Sequence, residues 1–329
     1  MLDIVGKRGW YFLISALIIL PGLISMIIPP GWSTLNSGLN PGIDFTSGSV
    51  MDVTFDQPVN QAQIQERMNA LGHSESLIQS TGSHSVLIRT KVLAEGIEGG
   101  PSERQLVQDD LEANVAAIEL MAFDSISPII AQETIRNTFL ALLAASVFIL
   151  LYIWFAFRRA PKAYRYGIGA VVALTHDTLI VLGLFSILGR VFSLEVNATF
   201  IIGILTVVGY SVNDTIVVFD RIRENVVRHP ERAFASMVNL SIIESIGRSL
   251  NTSFTTLVVL LAMLLIGGPS IRGLLLVVAI GVIIGTYSSI FIAAQFLVIW
   301  ERREFGRVFH LGRRAPAAVG ASLMSMFGR

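Results

Sequence analysis

The chain has 329 residues, 53% hydrophobic and 15% charged, with mean hydropathy +0.66, too apolar for a water-soluble globule of this length, so lipid is the implied solvent. Lys+Arg and Asp+Glu both total 24, so the formal charge is zero and nothing in it points to nucleic acid. Cysteine is absent, which excludes disulfides, thiolate catalysis and zinc–cysteine sites.

A spanning helix needs roughly 20 mostly apolar residues, and the chain offers such stretches at about 9–28, 134–157, 166–188, 197–219, 246–267 and 273–299. The first follows Lys7 and Arg8 and meets Pro29-Pro30 rather than a small-residue cleavage site, so it is expected to be a retained signal-anchor. The expected organisation is a first span in 1–29, an extracytoplasmic domain in 30–132, five further spans in 133–300 and a cytoplasmic tail in 301–329. Orientation follows the basic residues: Lys7, Arg8, Arg158, Arg159, Lys162, Arg165, Arg221, Arg223, Arg228, Arg232, Arg302, Arg303, Arg307, Arg313 and Arg314 fall on one side, whereas the opposite short turns hold only Arg190 and Arg272. Both termini are therefore expected in the cytoplasm.

Between the first two spans the pattern turns to that of a soluble domain. Ser49 to Phe55 alternates as a strand, Asn60 to Leu71 has helical spacing, and Glu75 to Gln79 and Ser85 to Val92 read as strands. After Gly99-Gly100-Pro101, Ser102 and Gln105 have the spacing of a capping box for a helix to about Val115, and Ala117 to Phe123 makes a last strand. The order β-α-β-β-α-β predicts a ferredoxin-like module. His73 and His84 have no metal-ligand spacing around them and are expected to be solvated loop residues.

Ionisable groups at the bilayer centre cost about 2.5–3.5 kcal/mol on insertion scales, so each is a functional candidate. His176 and Asp177 lie midway through the third span, Asp214 lies well inside the fourth, and Arg248 opens the fifth. Arg248, Asn251, Thr252 and Thr255 share one helical face, a polar stripe that must meet protein or water. Antiparallel fourth and fifth spans would bring Asp214 and Arg248 to similar depth, where an ion pair or a proton relay can form. Asp220, Arg221, Arg223 and Glu224 read as a charged collar at the membrane surface. On the sixth span Gly281 and Gly285, continued by Ser288 and Ser289, permit close helix packing, as do Gly169 and Ala173 on the third.

These residues resemble the SecD/SecF family of protein-export membrane proteins, on its SecF side. The matching runs are Gly42-Ile43-Asp44-Phe45-Thr46, Leu174-Thr175-His176-Asp177, the stretch from Gly209 through Asn213-Asp214-Thr215 to Asn225, and Arg248-Ser249-Leu250-Asn251-Thr252-Ser253-Phe254-Thr255-Thr256-Leu257. Ser47 stands where the family usually has a glycine before Gly48. The resemblance implies a resistance-nodulation-division (RND) fold: six spans that are half of a membrane transporter bundle, with an inserted α+β extracytoplasmic domain and a SecD partner for the other half. It also implies a non-enzymatic role in the inner membrane: promoting Sec-dependent protein translocation beside the SecYEG translocon, with protons as the coupling ion and no cofactor or metal. Exported unfolded polypeptide and membrane lipid are the other implied partners. By the same resemblance Asp214 and Arg248 serve proton transport, Asp177, His176, Asn213, Asn251, Thr252 and Thr255 support them, and Gly42, Asp44 and Phe45 form an extracytoplasmic motif.

Other readings weigh less. A half-subunit of an RND-type exporter of small molecules or lipids would need larger porter loops than 30–132 provides, and an intramembrane aspartyl protease would need a Gly-x-Gly-Asp setting that Val212-Asn213-Asp214 lacks. A scaffold subunit without an ion path would show Arg248→Ala lowering abundance but not specific activity.

Overall fold

The computed structural model describes residues 3–27, 38–94, 100–158, 160–192, 194–267 and 269–302. Pro29-Pro30, Gly99, Arg159, Arg303, Arg307, Arg313 and Arg314 lie outside them. After a 3-10 turn at Val5–Lys7, the first long helix is α1 (Arg8–Ile27). A short helix α2 (Ile43–Thr46) leads into the soluble domain: β1 (Gly48–Phe55), α3 (Gln61–Ala70), β2 (Leu77–Ser80), β3 (Ser85–Thr90), α4 (Glu103–Asn114) and β4 (Ile118–Ile126). The remaining helices are α5 (Pro128–Ala156), α6 (Tyr164–Phe192), α7 (Ala198–Arg228), α8 (Phe234–Ile266) and a sixth long helix built of α9 (Pro269–Ser288), a π turn (Ser289–Ala293) and α10 (Ala294–Arg302). Among the described residues six helices are long and apolar enough to cross a membrane, at the six places the hydropathy pattern predicts.

The soluble domain is an antiparallel sheet of order β2-β3-β1-β4, the strand order that a β-α-β-β-α-β chain takes when it closes as a ferredoxin-like module. Alternation along β1 puts Met51, Val53 and Phe55 on one face, where they bury against Ile64 and Met68 of α3 and Val107 and Leu111 of α4. Losing so large a fully buried side chain as Phe55 would cost about 3–5 kcal/mol. Both helices start where the sequence caps them: Asn60 accepts from the Ala62 N–H, and Ser102 and Gln105 close the expected capping box. His73 departs from expectation. It is buried rather than solvated, its Nε2 lying 3.3 Å from the Glu103 carboxylate, because the turn after α3 folds back against the first residue of α4.

In the membrane part, of one apolar 18-residue stretch in each helix, 50%, 50% and 61% of the residues are buried in α6, α7 and the sixth long helix, against 6–11% in α1, α5 and α8, so the first three form the inner layer. Small residues set the closest approaches. A Cβ at Gly22 of α1 would lie 2.6 Å from the Gly183 Cα of α6, and one at Gly285 would lie 3.0 Å from the Ser211 Cβ of α7. Two helices run further than hydropathy suggests: α7 continues past Asp220–Glu224 to Arg228, and α8 starts at Phe234, so Arg248 stands near its middle rather than at its start. The extension is held by cross-helix bonds, Asn225 Nδ2 donating to Glu244 at 2.8 Å and Arg221 Nε donating to the same carboxylate at 2.7 Å. Polar residues sustain a helix there because they pair across to α8, as Asn225 and Arg221 do with Glu244, or along α7 itself, as Arg223 does with Asp220 and Arg228 with Glu224.

Candidate intramembrane site

A hydroxyl-rich seam runs where α6, α7, α8 and the sixth long helix meet. The Gly285 contact draws α9 so close to α7 that the next residues, Ser288 and Ser289, reach carboxylates on two different helices. Ser288 Oγ donates to Asp177 Oδ2 of α6 at 2.7 Å, and Ser211 Oγ of α7 donates to the same oxygen at 2.5 Å. Ser289 Oγ donates to Asp214 Oδ2 of α7. Ser289 is also where the helix becomes a π turn, and such turns, which shift the backbone register, concentrate at functional sites.

Asp177 is 1% exposed and Asp214 8%. A buried carboxylate is expensive unless hydrogen bonds or an opposite charge compensate it. Asp177 is held by several polar partners: the two serines, and His176, whose Nδ1 lies 2.9 Å from Asp177 Oδ1 while its Nε2 lies 2.8 Å from Ser15 Oγ of α1. For Asp214 the compensation comes from Ser289 and from buried Ser249 of α8, which faces the carboxylate without completing a well-aligned hydrogen bond. Beyond it Ser253 bonds Thr286 Oγ1 and accepts from Tyr210 OH at 3.0 Å, so the polar lining continues along α8.

The structure brings together His176, Asp177 and Asp214 and leaves the other expected residues elsewhere. No ion pair joins Asp214 and Arg248 among the described residues; Arg248 is exposed, as are Asn251, Thr252 and Thr255. The expected pairing fails within this chain because α8 turns its serine face, Ser245, Ser249 and Ser253, inward and the Arg248 stripe outward. Asn213 is likewise exposed, one helical position away from buried Asp214. Gly42, Asp44 and Phe45 sit at the N-terminal end of α7. Gly42 N–H donates to the Val196 carbonyl at 2.8 Å, Asp44 accepts from the Ala198 N–H at 2.8 Å, and Phe45 packs against the apolar cluster around Phe185 and Phe200. Ser47 holds φ 62 and ψ 167, a backbone conformation suited to glycine.

The residues that sequence reasoning missed as site members are Ser15, Ser211 and Ser249, and it read Ser288 and Ser289 only as packing residues. One signal was available: Ser211 precedes Asp214 by one helical turn, and Ser249 follows Arg248 directly.

A family model described as protein export membrane protein SecD/SecF, C-terminal, matches residues 106–303, and a SecD/SecF GG motif matches 32–59. A protein translocase subunit SecF from Thermobaculum terrenum is 40% identical, the alignment covering 97% of this chain and 99% of that one. Another from Anaerolinea thermophila is 37% identical over 97% of this chain and 100% of that one. Among solved structures, SecDF, a translocon-associated membrane protein from Thermus thermophilus, superposes with TM-score 0.74 at 30% identity, covering 92% of this chain. The chain spans 39% of that protein's length.

Proposed function

The chain belongs to the SecD/SecF family of protein-export membrane proteins, a multi-pass membrane protein with half of an RND-type bundle, and from this premise we propose that it is the SecF subunit of a proton-driven protein translocase. In this reading it pairs with a SecD subunit in the inner membrane, both termini in the cytoplasm and the soluble domain outside. The pair works beside the SecYEG channel on unfolded polypeptide, and protons are the coupling ion.

The observation that carries the proposal is the placement of Asp214: a buried carboxylate at the middle of α7, held by a serine hydroxyl at a π turn, with an arginine-bearing polar stripe on the adjoining helix turned outward. A guanidinium does not face acyl chains when protein or water is available. The outward stripe of Arg248, Asn251, Thr252 and Thr255 therefore faces the second six-helix half, and water enters along that boundary. Asp214 takes up a proton from the outer side, and its change of charge alters its hold on Ser289 and Ser249 and the pull on Arg248. The helices shift in response, and protonation is converted into motion. Asp177 already has its serines and His176, so it stabilises the packing of α6, α7 and the sixth long helix around the site.

The test is export of a precursor protein by the complete complex in vesicles under an imposed proton gradient. Asp214→Asn is expected to abolish the gradient-dependent part of export and to leave export measured without a gradient unchanged. Wild-type gradient-dependent export by that variant would exclude the mechanism.

A further inference from the structure

The helix that carries Asp214 meets the soluble domain through a compact set of contacts at the outer membrane surface. Residues 38–44 cross the outer ends of α6 and α7 as a strap: Gly38 N–H donates to the Met26 carbonyl at 2.9 Å and Ser186 Oγ to the Gly38 carbonyl at 2.6 Å. Further along, Val196 N–H donates to the Asn40 carbonyl at 2.8 Å, and Pro41 and Val196 form a parallel bridge. The strap ends at Asp44, whose carboxylate takes the Ala198 N–H in the first turn of α7, where the helix dipole favours an anion. It then enters β1. From the other side, Arg89 of β3, the strand hydrogen-bonded to β1, forms an ion pair with Glu195 in the α6–α7 turn. The Arg89 and Glu195 side chains are 16% and 23% exposed, so the pair is largely shielded from water. Next to it a cleft of about 500 Å³, lined in part by Asn40, Lys91 and Arg190, separates β2 and β3 from the outer end of α6.

We propose that the Arg89–Glu195 ion pair is a coupling strut: with the strap it fixes the α6–α7 turn to two neighbouring strands, so that a shift of α7 turns the sheet. The proposal rests on the proton-driven reading above and names positioning residues for it. α7 is one uninterrupted helix from Ala198 to Arg228, so displacement at Asp214 reaches its outer end without a hinge. The strap by itself is one flexible attachment about which the domain can swivel. A second attachment on the adjacent strand removes that freedom, and the open cleft leaves room for the resulting rotation. Removing one partner strands a shielded charge, whereas reversing both restores the attraction.

The experiment uses the complete complex in vesicles containing an entrapped pH-sensitive dye, with proton uptake and gradient-driven export of one precursor protein measured together. Arg89→Glu and Glu195→Arg are each expected to keep proton uptake within about twofold of wild type while gradient-driven export falls about fivefold or more, and the double reversal regains most of the export. Wild-type export by either single variant overturns the strut. So does an equal loss of proton uptake and export that the double reversal leaves unrepaired, which marks a purely structural pair. Failure of the underlying reading has a different signature, proton uptake unchanged by Asp214→Asn, and it overturns the strut as well.

Discussion

The hydroxyl of Ser289 donates to the Asp214 carboxylate, joining the first residue of the π turn to the midpoint of α7. The bond places the one helical irregularity of the sixth long helix against the acid proposed to carry the proton. A hydrogen bond to a charged group contributes about 1.5–3 kcal/mol. Ser289→Ala is therefore expected to lower gradient-driven export about tenfold, and Ser289→Thr, which keeps the hydroxyl, is expected to retain more of it. Export rates of the two variants in the same vesicles check this.

The outward polar stripe on α8 has a separate consequence. Because the chain contains no cysteine, single replacements report one position each. Cysteines at Asn251, Thr252 or Thr255 are expected to react with a water-soluble maleimide in the isolated chain, and to react markedly more slowly when the SecD subunit is present. Equal labelling with and without SecD would place the stripe away from the subunit boundary.

Ser47 carries a backbone conformation that costs an L-residue about 1–3 kcal/mol. Ser47→Gly relieves it and is expected to stabilise the soluble domain by about 1 kcal/mol, part of the gain being offset by the greater freedom of glycine in the unfolded chain. Thermal unfolding of the purified protein in detergent, compared with wild type, measures the difference.

In the soluble domain the Arg67 guanidinium, hydrogen-bonded to Asp110 with Nε at 2.8 Å, holds that carboxyl below its ordinary range. A carboxylate with a depressed folded-state pKa adds stability above its unfolded value of about 3.9 and loses it as pH falls through the folded value. Asp110→Asn should therefore lower the unfolding temperature at pH 6, and the gap to wild type should close as the pH is taken below about 4. A gap independent of pH would mean that the pair contributes packing and not charge.

Gly22 and Gly183 set the crossing of α1 and α6, where backbone meets backbone. Gly183→Val forces the helices apart and is expected to destabilise the bundle by about 1–3 kcal/mol, read as a lower unfolding temperature in detergent. A similar change at Gly209, which has open space beside it, should be much milder.

Much of the architecture was legible in the residues themselves. Apolar stretches of spanning length located the membrane helices, and alternation, the Ser102–Gln105 capping box and the strand order located the soluble domain, because each signal is carried within one segment. Asp177 and Asp214 were legible as acids within membrane helices for the same reason: an acid inside an apolar run is conspicuous whatever surrounds it. Other features need more than one segment. The full lengths of α7 and α8 depend on Asn225, Arg221 and Glu244 meeting across a helix pair, and the burial of His73 depends on a turn folding against α4.

The sequence alone determined the six spans, the inserted module and which acids enter the membrane, since hydropathy and periodicity act over neighbouring residues. Only the tertiary structure decided which partner each acid takes: serines for Asp214, with Arg248 turned outward, and Arg89 for Glu195 in the α6–α7 turn. The reason is geometric. Depth in the membrane follows from position along a helix, but the direction a side chain points follows from that helix's rotation and crossing, which are set by glycine contacts and a π turn on other segments of the chain.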